Sequence, residues 1–140
     1  MVMDKTVAAA LLMERTVREI YTDRSSSAIQ PLQWSIMRFL KSAATSDAHV
    51  SSISRYLGTS HAPVSRAIST LIRRGLVERD SAPEVSRRSP VVLTLAGMEM
   101  LKSDPILKVA ERLEELPEDE RRSLERALRH LALNTSYQLT

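Results

Sequence analysis

At 140 residues, the chain is long enough for one domain of ordinary size, and 43% of its residues are hydrophobic while only 4% are aromatic. The absence of cysteine excludes disulfides, thiolate metal sites and thiol-based redox sensing by this chain. A formal net charge of +3 is compatible with nucleic-acid binding but does not establish it. No apolar run approaches the length of a membrane span, so we expect a cytoplasmic protein with no membrane partner.

The first predicted elements are two amphipathic helices separated by a polar break over residues 23–27. Along residues 4–21, apolar side chains recur at helical spacing: Val7, Ala10, Met13, Val17, Ile20 and Tyr21. Pro31 then begins a helix that we expect to end near Ser42. Its single tryptophan, Trp34, is interpreted as a core or interface aromatic. A loop follows, in which His49 and Val50 could form a single short strand.

A short helix is predicted over residues 52–57. Ser51 precedes it as the expected N-cap. Gly58 ends it, because glycine accepts a positive φ at little steric cost. A polar turn, residues 59–61, then leads into the next helix.

The second helix of this pair is predicted over residues 62–74, with Pro63 in its first turn and Gly75 as its stop signal. At about 100° per residue, one side is apolar: Val64, Ala67, Ile68, Leu71 and Ile72. The opposite side carries hydroxyls and arginines: Ser65, Arg66, Ser69, Thr70 and Arg73. An ordinary solvated face mixes Glu with Lys, whereas this helix has no acid. Such a face suits a groove lined with phosphates and base edges.

Two short strands, predicted over residues 76–80 and 90–94, would pair around a loop that contains Arg87 and Arg88. An arginine pair in an isolated loop is usually just solvated. A hairpin with a basic tip after a helix-turn-helix, however, is typical of a winged helix, whose helix enters the major groove while a wing arginine reaches the minor groove. The charge distribution agrees, because residues 50–90 hold seven arginines against three acids.

The segment PVSRAISTLIRRGLVER resembles the recognition helix and first wing strand of the MarR family of bacterial transcription regulators, and VVLTLAG resembles its second wing strand and next helix. VSSISRYLGTS resembles the first helix of the pair, and residues 32–40 the helix before it. The resemblance covers roughly residues 31–102. Two departures stand out: the family's Asp two residues before the wing Arg is missing, with Glu84 as a candidate substitute, and Ser54 replaces the usual Ala.

This resemblance implies a mainly α (α+β) fold, with a winged helix-turn-helix core and N- and C-terminal dimerisation helices. Residues 1–140 would form a single domain, with the DNA-binding core at 31–102 and the dimerisation helices at 1–24 and 103–140. The expected DNA-binding residues are Ser51, His61, Ala62, Ser65, Arg66, Ser69, Thr70, Arg73, Arg87 and Arg88. Which of the two wing arginines enters the groove stays open. An effector pocket would include Trp34, Met37 and Arg38.

After the wing, Thr94 is expected to cap a helix that begins at Leu95. The pair Asp104-Pro105 should kink or break this helix, with Ser103 or Asp104 capping its continuation. Pro117 opens a last helix, whose early acids and late basics complement the helix dipole. The stripes on these terminal helices exceed what a winged core needs. These helices either pack on their own domain or, as the resemblance implies, form a symmetric dimer that places two winged helix-turn-helix cores, the heads, on a palindrome.

No arrangement of residues indicates catalysis, a cofactor or a metal ion. The three histidines are isolated, and the three glycines are too scattered for a phosphate-binding loop. The leading hypothesis is a homodimeric, sequence-specific regulator of transcription that binds double-stranded DNA. We expect it to act as a repressor, released by a small aromatic or phenolic effector. The alternatives are a winged-helix protein-interaction module and a non-specific DNA-binding protein.

Overall fold

The computed structural model describes residues 2–44, 47–80 and 89–133 of the chain. Within these ranges the helices are α1 (Val2–Ile20), α2 (Pro31–Ser42), α3 (Val50–Leu57), α4 (His61–Arg73), α5 (Leu95–Leu101), α6 (Ile106–Glu114) and α7 (Glu118–Leu133). Strands β1 (Val77–Arg79) and β2 (Val91–Leu93) pair antiparallel, with Val77 opposite Leu93. The order of elements confirms the expected mainly helical fold with a helix-turn-helix and a wing.

The hydrophobic core lies where α2, α3 and α4 meet the small sheet and α5. Its fully buried side chains come from the predicted stripes and strands: Ile36, Met37, Ile53, Val64, Ile68, Leu71, Val77 and Val91. The predicted stripe of α4 is therefore confirmed, although Ile72 at its edge is only half-buried. Because one whole face of α4 is buried, the rotation of this helix about its axis is fixed.

In the winged helix-turn-helix core, called the head below, two glycines end helices and one threonine begins a helix, as predicted. Gly58 (φ 65°) follows α3 in the left-handed region, and Gly75 (φ 72°) follows α4 in the same region. Thr94 caps α5, since its Oγ1 accepts the N–H of Gly97 at 3.1 Å. The same hydroxyl donates to the carbonyl of Gly75 at 2.6 Å. This one side chain therefore ties the end of α4 to the start of α5.

Two local predictions around α3 are wrong. The helix begins at Val50 with His49 as its N-cap residue, so Ser51 lies inside the first turn and is not the cap. His49 and Val50 also form no strand. A long-range bond explains the shift: the N–H of Val91 donates to the carbonyl of Ala48 at 2.9 Å. This bond ties Ala48 to the first residue of β2, the next residue, His49, is extended (φ −111°, ψ 155°), and the helix starts immediately afterwards.

The predicted break at Asp104-Pro105 is confirmed. Helix α5 ends at Leu101, and α6 begins at Ile106. Of the two candidate caps it is Asp104 that acts, since its Oδ1 accepts the N–H of Ile106 at 3.0 Å. The carboxylate thereby replaces part of the backbone bonding that the proline interrupts.

The terminal helices leave their apolar stripes on the surface of the single chain. No residue of α6 is buried, and none is buried among residues 4–20 of α1 or 118–132 of α7. Large apolar side chains are exposed on all three helices: Val7, Leu11, Leu12, Met13, Val17, Leu107, Leu124, Leu128 and Leu131. None of the described helices combines the length and apolarity that crossing a bilayer requires.

Candidate nucleic-acid interface

The outward face of α4 is polar, positively charged and free of acids. Ser65, Arg66, Ser69 and Arg73 are exposed, and Thr70 is half-buried. All of the predicted groove-facing side chains of this helix therefore lie on one surface, opposite its buried stripe. Because that stripe fixes the helix, the face is presented by a rigid element rather than by a loop.

Hydrogen bonds divide this face into an ordered part and a free part. The Thr70 hydroxyl donates to the carbonyl of Arg66 at 3.1 Å and accepts from Nη2 of Arg73 at 3.1 Å. The Thr70 hydroxyl thus orients the Arg73 guanidinium along the helix. Within the described ranges, the side chain of Arg66 has no hydrogen-bond or ion-pair partner, so its five N–H donors are available to a ligand.

The N-terminal end of α4 continues the same surface. His61 and Ala62 are the first two residues of α4, and both are exposed. His61 therefore belongs to the helix and not to the preceding turn, one residue earlier than predicted. Ser51 is exposed in the first turn of α3. Small or polar side chains around a helix N-terminus suit phosphate contacts, since the unpaired backbone N–H groups point in that direction.

The wing contributes its base to the described structure. Arg79 on β1 donates through Nη1 to the carbonyl of Ser89 at 3.3 Å, and the N–H of Asp80 donates to the carbonyl of Pro90 at 2.7 Å. These bonds join the two strands where the tip begins. Arg87, Arg88 and Glu84 lie outside the described residues.

In the described part of the chain, two of the residues predicted for one effector pocket, Trp34 and Arg38, line different cavities. Trp34 is buried and lines a cavity of about 430 Å³ with Tyr21 and Met100. Arg38 lines a different cavity of about 690 Å³, whose wall is formed mainly by apolar residues of α2, β2, α5 and α6. Met37 is fully buried in the core and lines neither.

Arg38 instead belongs to a buried polar cluster that the sequence did not indicate. Its Nε and Nη2 donate to Oδ2 and Oδ1 of Asp104, each at 2.6 Å. Both of its Nη atoms also donate to the Tyr21 hydroxyl at 3.2 Å. The hydrogen bond to Asp104 raises the pKa of Arg38 above its ordinary value; burial opposes this effect, and the bond to Tyr21 adds to it. Sequence alone could not reveal the pair, since its members are 66 positions apart.

Other chemistry is not assembled in the described structure. Among residues 2–44, 47–80 and 89–133, no three His, Asp or Glu side chains are grouped so that they could hold a metal ion. The exposed ion pairs, such as Arg15 with Glu19 and Lys102 with Glu99, are local pairs within or at the end of single helices. The outward face of α4 is therefore the main candidate for function.

Comparisons with known proteins agree with this geometry. Residues 29–88 match the sequence model of the MarR family. A MarR/EmrR family transcriptional regulator from Acinetobacter sp. ADP1 is 26% identical, with 96% of each chain covered and a TM-score of 0.69. The S. aureus MepR–DNA complex has a TM-score of 0.66 at 17% identity, covering 90% of this chain and 92% of that one. S. aureus MepR bound to ethidium bromide has a TM-score of 0.58 at 16% identity, with the same coverages. No curated protein sequence matches the chain.

Proposed function

We propose that this protein is a homodimeric transcription regulator of the MarR family that recognises a palindromic site in double-stranded DNA. One observation carries the proposal: α4 is fixed by a fully buried stripe and presents an exposed, acid-free face of hydroxyls and arginines. A helix held in this way can enter the major groove as a rigid unit. The complex of the structural neighbour MepR with DNA supports the same use of the fold.

The α4 face suggests a division of labour. We assign base recognition to Arg66, because an arginine without an internal partner can bind guanine through O6 and N7. Arg73, oriented by the Thr70 hydroxyl, is assigned to a phosphate, which needs charge and orientation but no base edge. Ser65 and Ser69 would lie between these two contacts, and Ser51, His61 and Ala62 would approach the backbone near the start of α4. Arg87 or Arg88 would extend the contact into the minor groove.

The test begins with DNA duplexes selected from a random pool and with the intergenic DNA upstream of the gene. Binding is measured by fluorescence anisotropy across a range of salt, against a scrambled duplex. We expect a preference of about a hundredfold or more for the selected site, at two chains per site. Equal binding to both duplexes would point to a non-specific DNA-binding protein. No binding even at low salt would point to a protein-interaction module.

Two arginine variants test the assigned roles. Arg66→Ala should weaken specific binding by roughly 5- to 150-fold per head and relax the preference at one base pair. Arg73→Ala should weaken all duplexes alike and reduce the slope of log affinity against log salt by about one per head. Arg24→Ala is the matched control, since it removes the same charge from an exposed loop distant in sequence from α4. If Arg66→Ala behaves like Arg24→Ala, the assignment to α4 is wrong.

The exposed stripes of α1, α6 and α7 supply the reason for a dimer. A single chain would leave all of them in water, whereas a symmetric partner could cover them and set the distance between two α4 helices. We further propose that the protein represses transcription and that a small aromatic or phenolic molecule releases it. The ethidium-bound neighbour supports a small-molecule effector. Such a molecule must bind the conformation with poor DNA affinity more tightly than the other conformation.

A further inference from the structure

The cluster formed by Arg38, Asp104 and Tyr21 joins three separate parts of the chain. Arg38 lies in α2, at the centre of the winged core; Tyr21 follows the last residue of α1; and Asp104 lies in the break between α5 and α6. The side chain of Asp104 is only 5% exposed and that of Arg38 28% exposed. It is the one ion pair, among the described residues, that connects different helices across a long stretch of sequence.

The cluster lies where α5 gives way to α6, a region in which few other contacts hold α6 in place. Helix α6 buries no residue, and the proline prevents a continuous backbone ladder from α5. Asp104 nevertheless makes two kinds of bond at once: Oδ1 caps Ile106 at the start of α6, and both oxygens bind the guanidinium of α2. A fork-to-fork pair fixes direction as well as distance, in contrast to a single lysine contact.

We propose that Arg38 is a positioning residue, which through Asp104 and Tyr21 fixes the angle between the DNA-binding head and the terminal helices. In a dimer held together by those helices, this angle sets the separation of the two α4 helices. The inference about DNA rests on the proposed function, whereas the inference about the angle does not. The cluster of Arg38, Asp104 and Tyr21 then acts as a joint between the DNA-binding head and the terminal helices, and Arg38 does not contact DNA.

The variant must break the pair without leaving a buried charge alone, because a lone charge would unfold the chain for unrelated reasons. Arg38→Met combined with Asp104→Asn meets this need. It removes both charges, retains apolar volume, and keeps a side-chain oxygen that can accept the N–H of Ile106. The matched control is Lys102→Met with Glu99→Gln, which removes an exposed pair of the same charges at the neighbouring end of α5. Circular dichroism verifies that both proteins are folded.

The angle is measured without DNA by spin labels. Since the chain has no cysteine, Arg55→Cys on α3 and Glu111→Cys on α6 give two exposed labelling sites within one chain. Dilution with unlabelled protein restricts the signal to pairs in the same chain. We expect one narrow distance distribution in the parent and in the control, and a broader or shifted one in the Arg38→Met/Asp104→Asn variant. An unchanged distribution in that variant would overturn the proposal.

DNA binding provides the second readout. Duplexes carrying both half-sites are compared at the natural spacing and with five extra base pairs, alongside a single half-site. The double variant should keep its half-site affinity but lose about tenfold in its preference for the natural spacing. An unchanged distance distribution by itself refutes the positioning role of Arg38, and a retained spacing preference refutes the effect of that role on DNA binding. If the parent protein binds no DNA specifically, the proposed function fails, while the spin-label result still decides the joint.

Discussion

Removal of one buried hydroxyl, that of Ser54, should stabilise the protein. This residue lies in α3 and is 3% exposed, and its Oγ has no hydrogen-bond partner among the described residues. A buried hydroxyl without a partner costs about 1–3 kcal/mol relative to its hydrated state. Ser54→Ala removes that cost and gains a few tenths of a kcal/mol of helix propensity. It loses only the dispersion contacts of one oxygen, a few tenths of a kcal/mol in the opposite direction.

The expected result is a gain of about 1–2 kcal/mol in the free energy of unfolding, or roughly 3–8 °C in Tm. Urea and thermal unfolding should be followed at one fixed protein concentration, because dimerisation makes both values depend on concentration. Ser52→Ala is the matched control, since Ser52 is half-buried on the same helix and shares only the gain in propensity. If Ser54→Ala stabilises no more than Ser52→Ala, or destabilises, the hydroxyl has a partner and the reasoning is refuted.

Substitutions at three further positions test the packing of the DNA-binding core and the proposed dimer. Gly97→Ala should destabilise by about 1–3 kcal/mol, since its Cβ would overlap the carbonyl oxygen of Leu76; unfolding at the parent's urea midpoint would contradict this contact. Thr94→Ala should cost about 1–2 kcal/mol by removing its bonds to Gly97 and Gly75, whereas Thr94→Ser should restore most of it. Leu11→Asp should weaken dimerisation roughly 30- to 1,000-fold, because each of the two chains loses about 1–2 kcal/mol of apolar burial. Sedimentation equilibrium would detect the monomer. An unchanged dimer would place the interface elsewhere.

Local chemistry was sufficient to predict most of the head. Pro31 and the polar residues before it predicted the start of α2, and the alternation of buried and exposed positions in α4 predicted which face is free. Thr94 and the Asp104-Pro105 pair predicted a cap and a break, which the structure confirms. In each case the determining residues lie within one turn of the feature, so a single stretch of sequence contains the whole cause.

Features that depend on distant residues were missed or misplaced. The sequence around α3 offers Ser51 as the cap, but the helix starts at Val50, next to the bond from Val91 to Ala48. Likewise the pairing of Arg38 with Asp104 joins positions far apart in the chain and was not predicted, while the expected place of Arg38 in an effector pocket stays a prediction. An arginine in an amphipathic helix carries no local sign of whether a carboxylate will be folded against it.

On the proposed dimer, the exposed apolar side chains of α1, α6 and α7 would make regulation depend on the cellular abundance of this protein. The head has its own core within one chain, whereas the terminal helices become buried only on the proposed dimer. A scarce chain would therefore present one head to one half-site, and an abundant chain would present two linked heads, whose second contact is made at high effective concentration. Occupancy of the DNA would then rise with roughly the square of the chain concentration in the range where dimers form. Modest changes in synthesis or degradation of the protein would thereby be converted into steep changes in transcription.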